Sequence, residues 1–333
     1  MSRTIKVTVI GASSHIGGNL SLLLKVNPRI SEIALYDERQ AKIPSPGVGA
    51  DISHINTQTT VRAYQGTEEL ETALKEADFV IVCAGEMQKS DITADDLFDT
   101  NAPIVYNITK ACAQHAKRAL LCIMSEPVNS LVPMAAEVYK TAGVYNKARV
   151  LGITAIDSVR ASTFYAEAAG LPPKSVFVPV IGGHSASTVL PLFSQATPKV
   201  KLNPAVIEEL DKRVQNAEVD EVSAAMNGVG CSTLASAYAA ARFIDVAIRG
   251  QHGEKVSACA YVNEPINGEV PFFAYRCDFG PQGVIAVQRI QNTMPAYEQK
   301  RLRELKNKLK VDIEKGVRFA IAASRRGNST TFR

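Results

Sequence analysis

The stretch IKVTVIGASSHIGGNLSLLLK, residues 5–25, narrows the possible folds of this chain more than any other. An apolar, β-branched run leads into a turn containing Gly11 and Gly17, and an apolar run of helix length follows. Strand, glycine turn and helix in that order open a βαβ unit, with the helix N-terminus aimed at a phosphate. Gly11 permits the tight bend and Gly17 the close packing of the helix. A second strand, EIALYD, ends at Asp37, 20 residues beyond Gly17 (37 minus 17). A carboxylate there suits ribose hydroxyls and opposes a 2′-phosphate, so NAD is the expected cofactor. Ser14 and His15 stand mid-turn, where glycine would bring backbone closest to phosphate. The hydroxyl can donate and a histidinium can attract, or either side chain can block the approach; the residues alone leave both open.

The pattern continues through the first half. ADFVIVCAG, ALLCIMS and ARVLGIT are continuous apolar runs, and the helix APIVYNITKACAQHAK precedes the second of them. Strands alternating with helices imply right-handed crossovers and a parallel sheet covered on both faces. ERQAKIPSPG reads as an exposed loop. After about residue 155 the pattern changes to a helix with DSVRASTFYAEAAG, β-rich SVFVPVIGGH, two helices between 204 and 249, three short strands near 256–290 and a long helix from about Tyr297. The fold class expected is α/β, a Rossmann-type doubly wound parallel sheet followed by an α+β domain. A chain of 333 residues exceeds what one small core uses, and the division is expected at 1–154 and 155–333.

The composition removes several classes of function. Thirty-seven basic residues face 33 acidic ones, a formal charge of +4, and they are scattered. Only RLRELKNKLK is locally basic, and its helical spacing makes it a solvated helix face, so no nucleic-acid partner is expected. Six cysteines show no CxxC spacing and sit in apolar stretches, which predicts buried reduced thiols and no metal site. No apolar run approaches the ~20 residues needed to span a bilayer, so no membrane association is expected. The first strand starts close behind Met1 and the chain ends in TFR, which predicts a cytoplasmic protein with no leader and no peroxisomal signal.

Three further segments carry polar residues at telling positions. ITAIDSVRAS places Asp157 and Arg160 one helical turn apart on one face. PVIGGHSASTVLPL places His184 just after a strand, and DDLFDTNAPIV places Asn101 ahead of a helix. With GVGADISHI and PVNSLVP, these segments make the chain resemble the malate dehydrogenases of mitochondrial or bacterial type. The likeness runs from Val7 to the C-terminal helix. It implies an NAD-binding domain, a substrate domain, a homodimer, and reversible hydride transfer between malate and NAD. Carried over by position, His184 is the general acid/base, Asp157 holds its imidazole, and Arg160 clamps the substrate's C1 carboxylate. Gly11, Ser14, His15, Ile16, Gly17, Asp37 and Met124 fall at the cofactor. Asn101 and Glu126 fall at both cofactor and substrate. A buried structural histidine beside a helix ion pair is the plain alternative for the central residues.

The chain departs from the family pattern in its substrate loop. That loop usually reads like VPRKPGMTRDD; here it is EMQKSDITADD, residues 86–96. Gln88 replaces the arginine that reads the distal carboxylate, and Ala94 the one that polarises the carbonyl. The loop charge falls from +1 to −3, counting Lys89 against Glu86, Asp91, Asp95 and Asp96. Glu126 replaces an asparagine whose amide contacts substrate. An ionised carboxylate about 5 Å from a substrate carboxylate costs ~3 kcal/mol at an effective dielectric near 20. The sequence therefore points to an NAD-dependent dehydrogenase that is weak on oxaloacetate. The alternative is a catalytically degenerate homologue kept as a binding or assembly protein.

Overall fold

Phe79–Val82 and Leu120–Ile123 are each four consecutive buried residues, the pattern of strands covered on both faces. The computed structural model describes residues 4–88, 92–289 and 294–329, with side chains to Arg326. Its first half runs β1 (Lys6–Ile10), α1 (His15–Lys25), β2 (Glu32–Asp37), α2 (Ser45–Ser53), β3 (Thr60–Gln65), α3 (Leu70–Leu74), β4 (Phe79–Val82), α4 (Ala94–His115), β5 (Leu120–Ile123), α5 (Val128–Thr141) and β6 (Val150–Ile153). The second half runs α6 (Ala155–Ala169), β7 (Val180–Gly182), β8 (Val189–Pro191), α7 (Pro204–Asn216), α8 (Leu234–Gln251), β9 (Val256–Val262), β10 (Phe273–Gly280), β11 (Gly283–Val287) and α9 (Ala296–Ser329).

Strands β3-β2-β1-β4-β5-β6 are parallel and lie in that order. This is the doubly wound order, with the chain turning away from β1 in both directions. Beyond β6 the same sheet continues antiparallel through β9, β10, β7 and β8, with β11 on the other register of β10. One sheet thus crosses from the first half into the second. The main apolar core follows it, from Val7 and Ile81 to Phe243, Tyr261 and Phe273. A smaller cluster around Tyr165, Val178 and Phe193 lies under α6 and α7.

Three elements differ from the sequence expectation. β3, TVRAYQ, is half exposed and pairs only with β2, so it carries too little apolar signal to be read as a strand. The segment expected to be loop closes as α2 from Ser45, with Pro46 in the first turn where its missing N–H costs nothing. Helix α4 begins at Ala94 rather than near Ala102. Thr93 caps it reciprocally with Asp96, and Pro103 is accommodated inside.

Candidate active site

The sheet's winding changes direction between β1 and β4, and their C-terminal ends part to form the crevice where open α/β sheets bind ligands. Gly11 sits there with φ +82°, and a Cβ on it would come 2.7 Å from the Ala84 nitrogen behind β4. A Cβ on Gly17 would lie 2.1 Å from the Gly11 carbonyl oxygen. Both glycines are required by close approach.

Ser14 does not obstruct this turn. Its side chain folds back as the helix cap, accepting from the Gly17 N–H at 3.0 Å. His15 begins α1 and is exposed, and Ile16 is half-buried behind it. The N–H groups of His15 and Ile16 have no acceptor among the described residues. Two orphan donors at a helix N-terminus fit the pyrophosphate of a dinucleotide. Asp37 receives both the Ser13 N–H at 2.8 Å and the Ser13 hydroxyl at 2.5 Å on Oδ2, and the Glu38 N–H at 3.2 Å on Oδ1. Ser13 thus fixes the carboxylate's orientation, a role the sequence reading missed. These residues fit NAD.

Across the crevice, α6 starts straight after β6 and buries Asp157 in its first turn. The Asp157 Oδ2 lies 2.6 Å from His184 Nδ1. His184 follows β7, in the turn to β8, and its backbone N–H donates to Asn129 Oδ1 at 2.7 Å. Asn129 in turn donates to Thr188 Oγ1 at 3.1 Å and to Asp312 Oδ2 at 3.0 Å. The turn carrying His184 is thereby tied to α5 and α9. PVN was visible in the sequence only as a family motif; what Asn129 holds was not.

Glu126 closes the other side of the imidazole, with Oε1 3.1 Å from Nε2. Burial alone would lower the imidazole's pKa. The Asp157 and Glu126 carboxylates, one on each ring nitrogen, outweigh that and hold it well above the ordinary value. Of the two cations in the site, Glu126 pairs with His184, while Arg160 pairs with Glu218.

Arg160, one turn after Asp157, is ion-paired through Nη2 to Oε2 of Glu218. The other oxygen of Glu218 accepts the Ser232 N–H at 2.6 Å. Glu218 belonged to no motif and was missed; it is one of three acidic residues in the segment AEVDEVS after α7, and nothing in the sequence sets it apart from Asp220 and Glu221.

Asn101 is buried in α4 as a tie between loops. It donates to the Glu86 and Glu126 carbonyls at 2.9 and 2.7 Å and accepts the Glu86 N–H at 2.7 Å. Gln88 donates to the Ile92 carbonyl at 2.6 Å, and Ala94 is an exposed first residue of α4. Met124 ends the β5 run, half-buried, with its sulfur 3.8 Å from Cys83 Sγ. The loop's acidic count weighs less on the site than its sum suggested. Asp95 pairs with Lys315 at 2.5 Å and Asp96 caps α4, while Lys89 and Asp91 lie outside the described residues. All six cysteines are buried and free.

Residues 5–152 match the lactate/malate dehydrogenase NAD binding domain, and residues 154–320 match the lactate/malate dehydrogenase alpha/beta C-terminal domain. The mitochondrial malate dehydrogenase of Eucalyptus gunnii is 46% identical over 316 residues, covering 95% of this chain and 89% of that protein. That of Sus scrofa is 44% identical over 315 residues, covering 94% and 91%. The backbone is similar to malate dehydrogenase from Picrophilus torridus in its apo form, with a TM-score of 0.82 at 18% identity over 98% of this chain and 100% of that one. It is also similar to Cryptosporidium parvum lactate dehydrogenase complexed with lactic acid and NAD, with a TM-score of 0.79 at 20% identity over 94% and 98%. A doubly wound sheet with a glycine turn at its switch point, and a carboxylate-held histidine facing it, thus agree with both domain matches: the chain belongs to the lactate/malate dehydrogenase family of NAD-dependent oxidoreductases.

Proposed function

We propose that this chain is an NAD-dependent 2-hydroxy acid dehydrogenase of malate dehydrogenase type that is weak on oxaloacetate. The observation that carries this reading is the 2.6 Å contact between Asp157 and His184 Nδ1, which keeps Nδ1 protonated and leaves Nε2 as the atom that exchanges a proton. When bound, the nicotinamide cofactor supplies the hydride. His184 Nε2 then holds the proton that a reduced keto oxygen needs, and Asp157 orients the ring and stabilises its charged form. Arg160 offers guanidinium donors to the C1 carboxylate. Gly11, Ser14, His15, Ile16, Gly17, Asp37 and Met124 border the cofactor, and Gln88, Ala94, Asn101 and Glu126 the substrate side. Residues 1–154 serve the cofactor and 155–333 the substrate and assembly. Titrating the purified protein into NADH and following fluorescence, then assaying a panel of 2-keto acids, tests the reading. No oxidation of NADH by any of them would overturn it.

The two occupied cationic groups favour a second reading. His184 and Arg160 each already face an internal carboxylate, as in a homologue whose fold is kept for binding or assembly. NADH binding without turnover on any keto acid selects that reading.

For assembly we propose a homodimer. Leu22 on α1, Val26 at its C-cap, and Leu234 and Tyr238 on α8 are exposed large apolar side chains, and the two helices pack together. Sedimentation at a monomer's mass would overturn it. No helix among the described residues is long and apolar enough to cross a membrane. Buried free thiols fit a reducing compartment. The plant and animal relatives are named mitochondrial, against the cytoplasmic expectation. We propose the mitochondrion, and a tagged full-length chain that stays in the cytoplasm would decide against it.

A further inference from the structure

Glu218 stands in a π-helical segment, Ala217–Ser223, that prolongs α7. Such segments sacrifice hydrogen-bond geometry and recur at functional positions. The side chain is held at both oxygens, by the Ser232 N–H and by Arg160 Nη2. The side chains of Arg160 and Glu218 are 14% and 28% exposed, so the pair is partly shielded from water. Arg160 Nε and Nη1 have no partner among the described residues.

Cys231, beside Ser232, places this pair relative to the rest of the site. Its sulfur lies 3.5 Å from that of Met87, in the loop between β4 and α4. Its thiol is pushed up to about 11 by burial and then by the Glu218 and Glu126 carboxylates, with Arg160 acting the other way. Glu126 also touches His184. Three carboxylates, Asp157, Glu126 and Glu218, therefore face two cations, His184 and Arg160. Carboxylates thus outnumber cations among these five groups by one.

We propose that Glu218 is a specificity-determining residue: by taking Nη2 of Arg160 and adding a carboxylate at that guanidinium, it restricts the site to 2-keto and 2-hydroxy acids with one carboxylate and no second negative charge. This rests on the dehydrogenase reading above. A monoanion needs one charge-assisted contact, which the Nε–H or an Nη1–H of Arg160 supplies as a single donor. A dianion brings a second carboxylate toward a site with Gln88 in place of a cation, into the field of Glu126 and Glu218.

The test compares wild type with Glu218→Gln and Glu218→Ala. Calorimetry in the presence of NADH measures the affinities of oxamate, with one carboxylate, and tartronate, with two. The kcat/KM values for pyruvate and oxaloacetate are measured alongside. Wild type should prefer the monoanion in both comparisons, and both variants should narrow that preference at least ~10-fold. Glu218→Gln keeps the side-chain volume and an acceptor for the Ser232 N–H, and an unchanged melting temperature confirms its fold. An unmoved ratio in Glu218→Gln would overturn the proposal. So would wild type holding tartronate as tightly as oxamate, or binding neither. The NADH titration stands apart: if NADH neither binds nor is oxidised, the dehydrogenase reading fails, while the anion ratio measured without NADH still decides the role of Glu218.

Discussion

Glu126 Oε1 lies 3.1 Å from His184 Nε2, the ring atom through which a proton would pass to a bound ketone. In the mechanism proposed above, the carboxylate occupies the approach that the substrate oxygen would need. It also stabilises the imidazolium from the side opposite Asp157. Both effects come from one residue, and they act oppositely on catalysis: one keeps the proton available at neutral pH, the other obstructs its transfer.

Glu126→Asn should therefore change both the rate and its pH dependence. Removing one of two anions lowers the imidazole's pKa toward its ordinary value, because burial then faces Asp157 alone. Keto acid reduction needs the protonated ring, so its alkaline limb should move to lower pH. Carbon-labelled histidine titrated by NMR gives the same direction independently. A limb that stays in place would show that Glu126 does not set the charge of His184.

His184→Asn should abolish dehydrogenase activity and cost stability as well. Asp157 and Glu126 would lose their shared cation, and breaking a buried pair of this kind costs about 3 kcal/mol or more. The folded pKa of His184 is raised above its unfolded value. Its stabilisation is thus complete below the ordinary imidazole range and is lost as pH rises through the folded value. Urea unfolding of wild type should show that alkaline loss, and the variant should not.

Gln88→Arg and Ala94→Arg together with Glu126→Asn should raise kcat/KM for oxaloacetate by at least ~100-fold, the scale of one recovered charge donor. Ala94→Arg alone should help less, since Glu126 remains to capture the new guanidinium. Such non-additivity is usual where groups act as a unit. Wild type already turning over oxaloacetate as fast as the triple variant would remove the loop argument.

Gly17→Ala should abolish NADH binding and lower stability by about 1–3 kcal/mol, because the added Cβ meets the Gly11 carbonyl oxygen at 2.1 Å. Ser14→Ala should be milder. It removes a helix cap worth ~1 kcal/mol and leaves the His15 and Ile16 N–H groups in place. Loss of NADH binding in Ser14→Ala but not Gly17→Ala would reverse this assignment.

NADH should bind more tightly than NADPH, because Asp37 is held in place by Ser13 and would face the 2′-phosphate. Asp37→Ser should narrow the difference. Fluorescence titration with both cofactors decides it.

Local pattern was enough to read five of the six parallel strands, the glycine turn, Asp37, and the Asp157–Arg160 spacing on one helix face. Strands buried on both faces are continuously apolar, a helical turn places positions three apart together, and both rules act within a few residues. β3 was not legible, because an edge strand has one partner and little burial, so only pairing with β2 defines it. The charges of the site were not legible either. Glu218 is 58 residues from Arg160 in the chain, and Glu126 is 58 from His184. Composition counted the acidic residues of the substrate loop, yet the structure turns Asp95 to Lys315 and Asp96 to a helix cap. It brings two distant carboxylates to the cations instead. Electrostatic energy depends on separation in space and on exclusion of water, and the close-packed tertiary structure decides both.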